Sequence, residues 1–442
     1  MSAPPGRADV ESKYQCIVVG GGFAGASAAI RLAQKGVKVL LIERGDEGGA
    51  KNLSGGILWG DDLSRILPDW KATAPIERPV TTKKVGFLSE KGASFVIDYS
   101  DPSLKTETVG YSVLRGKTDK WLLEQCRKAG VTVITGVDVE GLHKENSRVV
   151  GVVQAGEVTR ADCVIVADGA NSRLTLQADL RHGDKKLDMD HYALGVKEVL
   201  KLDRKVLEER FQTGTDGGLA AEFVIGRSDG VMAGGFLYTN QDTLSLGVVI
   251  NLRTMKGQGD QTTHDIVEQF RMHPYVQGLV KGAELVEYGA HLVPEGGYVA
   301  FSQLYSDGVL VAGDAAGFCF SNGIVIQGMN YAVRSGICAA DAVHHAIQKR
   351  DFSAVTLEKY EKLLEADGII GDFKRFKNVS KFLWNPRLFQ KYPDFLAGIF
   401  RRMLKAEGEK QKMKHHVMAA MKDAGISKGD LVSDGINAGM NF

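Results

Sequence analysis

The sequence predicts an α/β protein in three parts: a nucleotide-binding domain on a parallel sheet, a mixed β-sheet domain inserted into it, and a C-terminal helical tail. Three observations predict this. A strand–turn–helix–strand pattern carrying Gly-x-Gly-x-x-Gly opens the chain at Cys16 to Arg44. Residues 176 to about 295 then turn strand-rich and antiparallel in texture. A buried strand ending in Gly313-Asp314 returns to the first pattern, and helices fill the chain from 346 to 442.

The first element is Ile17 to Val19, a β-branched apolar run suited to a buried parallel strand. Gly20 makes the tight turn, Gly22 lets backbone approach a pyrophosphate, and Gly25 lets helix pack close to strand. Ala26 to Lys35 reads as a helix whose unpaired N–H groups and dipole favour negative charge at its start. Val37 to Ile42 is the second strand, with Glu43 and Arg44 at its tip. Glu43 stands 18 positions after Gly25, where a carboxylate can accept the hydroxyls of an adenosine ribose. The unit is Rossmann-like, and its ligand is a dinucleotide.

Six glycines fall between Gly45 and Gly60, a loop able to run beneath a planar ligand with Ser54 and Gly55 closest. Asp61 to Leu67 reads as a short helix stopped by Pro68. Lys84 to Phe87 and Ser94 to Tyr99 alternate as strands of a small sheet. Thr118 is placed to cap a helix over Asp119 to Lys128, with Arg115 before it as either a phosphate clamp or a solvated loop residue. Val131 to Ile134, Val137 to Leu142 and Val149 to Gln154 read as strands, and Val164 to Asp168-Gly169 as a buried strand and its turn.

Within the inserted part, strands are predicted at Ala193 to Val199, Phe223 to Ile225, Gly234 to Tyr238 and Leu244 to Leu252, with a helix over Asp265 to Met272. Val309 to Ala312 resumes the first domain, and a long helix starts near Gln327. The expected boundaries are a loose arm at 1–13, a discontinuous nucleotide domain at 14–175 and 296–345, a substrate or lid domain at 176–295, and helices at 346–442.

At 442 residues the chain is long enough for two or three cores. A net charge of +1 argues against non-specific nucleic-acid binding. The five cysteines include no Cys-x-x-Cys and read as reduced, mostly buried thiols of a cytosolic protein, with no metal site. No apolar run reaches the roughly 18 residues that a membrane span needs.

Three phosphate- or ribose-facing elements on separate parts of the chain exceed what a nicotinamide dehydrogenase needs. FAD is longer, and its ribityl chain and second phosphate need a further anchor, which Asp314 and the backbone near Gly317 and Gly323 can supply. The set resembles the second subclass of the glutathione-reductase-type FAD fold. Longer strings carry a closer likeness: Asn52-Leu-Ser-Gly-Gly, Leu67-Pro-Asp-Trp, Gly235 to Gly247, and Val309 to Gly317 with Gly328-Met. These resemble the FixC flavoproteins, relatives of electron-transfer-flavoprotein:quinone oxidoreductase, over nearly the whole chain.

The resemblance implies bound FAD, electrons arriving from an electron-transfer flavoprotein with alpha and beta subunits, and electrons leaving to menaquinone or ubiquinone. It implies that Val139 holds adenine through its backbone, that Arg115 lies near the FAD, that Asp168-Gly169 closes the FAD and lid domains together, and that Gly313-Asp314 takes the ribityl chain. Single-chain quinone oxidoreductases carry an iron–sulfur module, whereas this chain has no cysteine after Cys338. A separate ferredoxin-like iron–sulfur subunit is therefore expected, in a complex that can serve as the quinone branch of an electron-bifurcating NADH:ferredoxin/quinone oxidoreductase. Flavin hydroxylases of this fold usually have His after Gly-Asp-Ala-Ala, where this chain has Gly317.

No side-chain acid–base pair stands out. His182, His191 and His291 read as structural, Cys319 as packing, and the flavin as the carrier of electrons. Aromatic and basic residues interleave from Phe373 to Leu404, as in an interfacial anchor or a helical tail packed on the FAD domain. The anchor reading names Trp384 and Phe389 and places the protein in the cytoplasm, on the inner face of the cell membrane. Two other readings stay open: a flavin reductase of isoprenoid double bonds, and a non-catalytic assembly subunit bearing flavin.

Overall fold

The computed structural model describes residues 14–52, 55–105, 109–181, 189–256, 261–323 and 325–441. The expected arm at 1–13, Ser54 and His182 lie outside them. The architecture is mixed α/β, with two large sheets and a helical C-terminus.

The first sheet has Tyr14–Val19 at its centre, parallel to Val39–Ile42 on one side and to Glu157–Val166 on the other. Val309–Val311 pairs parallel with Glu157–Val166, and Thr132–Ile134 with Val39–Ile42. Cys16, Ile17, Val18, Leu41 and Val164 are fully buried, because a parallel sheet is covered on both faces. Two helices, Phe23–Gln34 and Met329–Lys349, cross at Gly336. A Cβ there would stand 2.2 Å from the Ala24 carbonyl oxygen, so only glycine permits this approach.

The second sheet runs Glu284–Pro294, Tyr192–Lys201, Thr243–Asn251, Ala233–Thr239, Gly218–Ile225, Ile76–Leu88, Gly110–Val113 and Gly56–Trp59, with Ser94–Ser100 also paired to Ile76–Leu88. It is therefore not confined to residues 176–295. The 13-residue strand Ile76–Leu88 joins the two sources, pairing parallel with Gly218–Ile225 and antiparallel with Ser94–Ser100 and Gly110–Val113.

Local readings differ at three places. Thr118 does not cap its helix, which starts at Arg115; its Oγ1 donates to the Leu114 carbonyl at 3.0 Å from inside the first turn. Val137 to Glu140 is not a strand, and pairing begins at Gly141. Asp62–Arg65 is a single 3₁₀ turn, followed by the short helix Trp70–Thr73.

Of the two expectations for the aromatic stretch, the packed helical tail describes most of its apolar side chains, Trp384 and Phe389 included. Phe373, Phe389, Phe395 and Ile399 are buried, and Trp384 turns into an internal cavity. The apolar half of this amphipathic stretch covers the two sheets instead of facing outward. At the surface remain Phe400, Met403 and Leu404, the last 82% exposed. Asp434 of the last helix is 5% exposed and accepts from Arg387 Nε at 2.7 Å, Tyr392 Oη at 2.8 Å and Asn385 Nδ2 at 2.9 Å. That carboxylate ties the end of the chain to the helices beside the cavity. No helix among the described residues is long and apolar enough to cross a membrane.

Candidate functional site

One cavity of about 920 Å³ runs between the sheets and under the tail. At one end lies the glycine turn. Gly20 has φ +104°, and a Cβ on it would meet the Ala167 carbonyl oxygen at 2.2 Å. A Cβ on Gly25 would lie 1.9 Å from the Gly20 carbonyl oxygen. Gly22 caps the Phe23–Gln34 helix without a side-chain cap, and no acidic residue stands in the first turn. Gly20 and Gly21 already donate their N–H groups, to the Ile42 carbonyl at 2.8 Å and to Glu43, so the donors left for a ligand are those of the helix start from Gly22 onward.

Glu43 reaches the cavity wall, but its two oxygens already accept the N–H groups of Gly21 and Gly45, both at 2.7 Å. It fastens two loops, and its remaining lone pairs are free for hydroxyl donors. Exposed Arg44 and Val139 line the same end. The Val139 carbonyl accepts from Arg173 Nη2 at 2.6 Å, a contact that spacing alone does not reveal.

Arg115 forms a two-pronged pair with Asp119, Nε to Oδ1 and Nη2 to Oδ2 both at 2.9 Å. Its guanidinium lies 5.1 Å from the Phe23 ring centre. Asp119 is fully buried and also accepts from Asn52. Arg115 is thus a held, cavity-lining cation. Asp168 accepts from Ser172 Oγ at 2.9 Å and Leu174 N at 3.4 Å, closing the turn that Gly169 makes at φ +82°. Burial pushes its pKa up.

Asp314 differs from these carboxylates, because its side chain takes no hydrogen bond from a described residue while lining the cavity. Burial raises its pKa, against the pull of Arg115. Gly313 donates its N–H to Ser335 Oγ at 3.1 Å and leaves no room for a Cβ beside Ala24. Gly323 lines the cavity, whereas Gly317 does not; Gly317 ends the 3₁₀ turn at φ +90°. Gly55 also lines it, and a Cβ there would strike Ser245 Oγ at 2.1 Å. Unspent N–H donors, a free acceptor and glycines without Cβ space fit a long ligand with a pyrophosphate and a polyol chain.

The far end holds titratable groups that the sequence reading passed over. Lys197 donates to the Gly55 carbonyl and lies 5.4 Å from the centre of the Phe236 ring. Burial, with Arg115 nearby, lowers its pKa to about 8. Glu222 pairs with Lys83 and bonds to Tyr238, whose phenol burial and Glu222 push well above its usual value. Burial raises Glu295 to about 7, against the pull of the Trp384 indole beside it. The alternation in Tyr192–Lys201 was a usable signal, since Gly195 and Lys197 share the face turned to the cavity. Cys319 forms part of the wall, and burial pushes its thiol well above the usual range, as suits a packing role.

His291 also lines the cavity, within reach of the charges of Arg115, Lys197 and Arg44. Burial first, then Arg115, Lys197 and Arg44, lower its pKa from 6.5 to about 4. A histidine depressed on folding stabilises the protein fully above 6.5 and loses that contribution as pH falls towards about 4. Urea titrations from pH 7 to pH 4 are expected to show acid destabilisation that His291→Gln reduces. An unchanged pH dependence in the variant would refute this.

Residues 15–76 and 115–342 match the family of FAD dependent oxidoreductases, and residues 379–441 match the ETF-QO/FixC family C-terminal domain. Protein FixC of Salmonella typhi is 40% identical over 428 residues, covering 96% of this chain and 98% of its own. The probable electron transfer flavoprotein-quinone oxidoreductase YdiS of Escherichia coli K12 is 39% identical over 427 residues, with 96% and 98% covered. Among solved structures, a geranylgeranyl bacteriochlorophyll reductase-like protein from Thermoplasma acidophilum superposes with a TM-score of 0.70 at 21% identity, covering 96% of this chain and 99% of that one. The flavin-dependent brominase Bmp2 reaches 0.62 at 18% identity, with 93% and 98% covered; both likenesses concern the fold.

Proposed function

This chain belongs to the ETF-QO/FixC family of FAD-dependent oxidoreductases, and we propose that it receives electrons from an electron-transfer flavoprotein and passes them to a membrane quinone. The observation that carries the reading is the continuity of the cavity. It joins the glycine turn to an apolar end walled by Phe236, Phe376, Leu383, Trp384 and Phe389. A flat, prenylated ring is the class of molecule such a wall accepts.

In this reading Gly20, Gly22 and the helix start take the pyrophosphate, Glu43 the adenosine ribose, Val139 the adenine, and Asp314 a ribityl hydroxyl. Bound FAD supplies the electron carrier. Lys197 and Arg115 place positive charge along the cavity, and the tail residues exclude water from its apolar end. The described residues include no cluster able to hold a metal ion, and all five cysteines are free and buried. The proposed complex therefore adds a ferredoxin-like subunit to the alpha and beta flavoprotein subunits, and can form the quinone branch of an electron-bifurcating assembly. Phe400, Met403 and Leu404, beside Arg401, Arg402 and Lys405, are the proposed contact with the membrane.

The test is untagged purification from the native host, with a flavin spectrum, identification of bound partners and a quinone-analogue assay. The expected result is flavin that an electron-transfer flavoprotein reduces and the quinone reoxidises. Saturation of an isoprenoid double bond by the isolated chain, or a flavin that no donor reduces, would overturn the reading.

A further inference from the structure

We propose that Glu295 is the proton donor at the quinone end of the cavity, and that Trp384 from the C-terminal helices orients its carboxyl group; this rests on the quinone reading above. The placement comes from the backbone first. Glu295 follows the edge strand Glu284–Pro294, and its N–H donates to the His191 carbonyl at 2.8 Å. Gly296 beside it is packed so tightly that a Cβ would lie 2.9 Å from His191 Cβ, so the segment has one position. Its side chain lines the cavity together with Cys319, Phe320 and Trp384.

The surroundings suit an acid that must hold and release a proton. Among the described residues Glu295 has no cationic partner, and Trp384 lines the cavity with it and pulls its pKa down. The titratable group facing it from the loop after Gly317 is the Cys319 thiol, and from the segment before the Tyr192–Lys201 strand it meets His191 through backbone. Lys377 and Ser380 of the tail line the same cavity. Glu222, the other half-buried glutamate there, is already engaged by Lys83 and Tyr238. An acid with a pKa of about 7 is half protonated at neutral pH, the condition under which donation and reprotonation both proceed.

The step balances. A quinone becomes a quinol by taking two electrons and two protons. Bound FAD in its reduced form would supply the electron pair and one proton. Glu295 breaks its O–H bond, the second quinol O–H forms, and a proton from bulk solvent then restores the carboxyl group.

The test uses the full FAD-loaded chain, reduced chemically and mixed in a stopped-flow instrument with a water-soluble benzoquinone or with ferricenium. Ferricenium accepts one electron and takes up no proton. Glu295→Gln is expected to slow reoxidation by the quinone by about 10²- to 10⁴-fold, the range of a general acid, while leaving the ferricenium rate unchanged. Glu295→Asp should restore part of the quinone rate. In the wild type the quinone rate falls as pH rises through about 7. The Trp384 indole favours the carboxylate, so Trp384→Phe raises the pKa and moves that fall to higher pH. Equal slowing with both acceptors, or an unchanged quinone rate in Glu295→Gln, would overturn the assignment. A wild-type flavin that quinone does not reoxidise overturns the function itself, and Glu295 with it.

Discussion

Gly25→Val should emerge from purification nearly free of flavin. The new side chain would begin 1.9 Å from the Gly20 carbonyl oxygen, with Val18 Cγ1 at 3.2 Å on the same side. Backbone cannot yield as a flexible side chain does, so the Phe23–Gln34 helix must lift from its strand, carrying its free N–H groups out of register. Overpacking of this kind costs about 1–3 kcal/mol. At 1.4 kcal/mol per tenfold, flavin affinity is expected to fall roughly 5- to 150-fold. Absorbance at the flavin band against protein concentration measures it, and a full flavin complement in the variant would remove the glycine turn from the binding site.

Arg115→Ala is expected to lower stability by about 3 kcal/mol, because it strands the fully buried Asp119 carboxylate. Asn52 still donates to that carboxylate, which holds the loss at the lower end of the range. Urea denaturation measures the change. The paired variant Arg115→Ala with Asp119→Asn removes the stranded charge, so stability should largely return while flavin affinity does not. Recovery of both would reduce Arg115 to a structural role.

The nucleotide end was legible because its signals are local. Strand, turn, helix and acid sit within Cys16 to Arg44, and each glycine answers a steric demand set by close neighbours. Asp168 and Asp314 were legible as positions, but not as opposites: one side chain is spent on Ser172 and Leu174, the other accepts from no described residue. The far end was not legible. Lys197, Glu222, Tyr238 and His291 come from four strands, Glu295 directly follows one of these and Trp384 follows a tail helix, and they meet only once those segments do. The tail stayed ambiguous in sequence for a related reason. Interleaved aromatics and cations look alike whether the apolar side meets lipid or a sheet, and only the fold decides which side is covered.

The strand Val309–Val311 has a consequence for the order of events on the ribosome. It is the parallel neighbour that Glu157–Val166 lacks until late, and Gly313-Asp314 follow directly from it. The glycine turn leaves the exit tunnel near the start of synthesis, yet the partner strand is some 290 residues behind. At about 5–20 residues per second, that delay is on the order of 15–60 s. For that interval the nascent chain holds the glycine turn without Gly313-Asp314, with one edge of its parallel sheet unpaired. Capture of the flavin is therefore an event of late or completed translation, when an exposed sheet edge also gives other chains their best opportunity to pair with it.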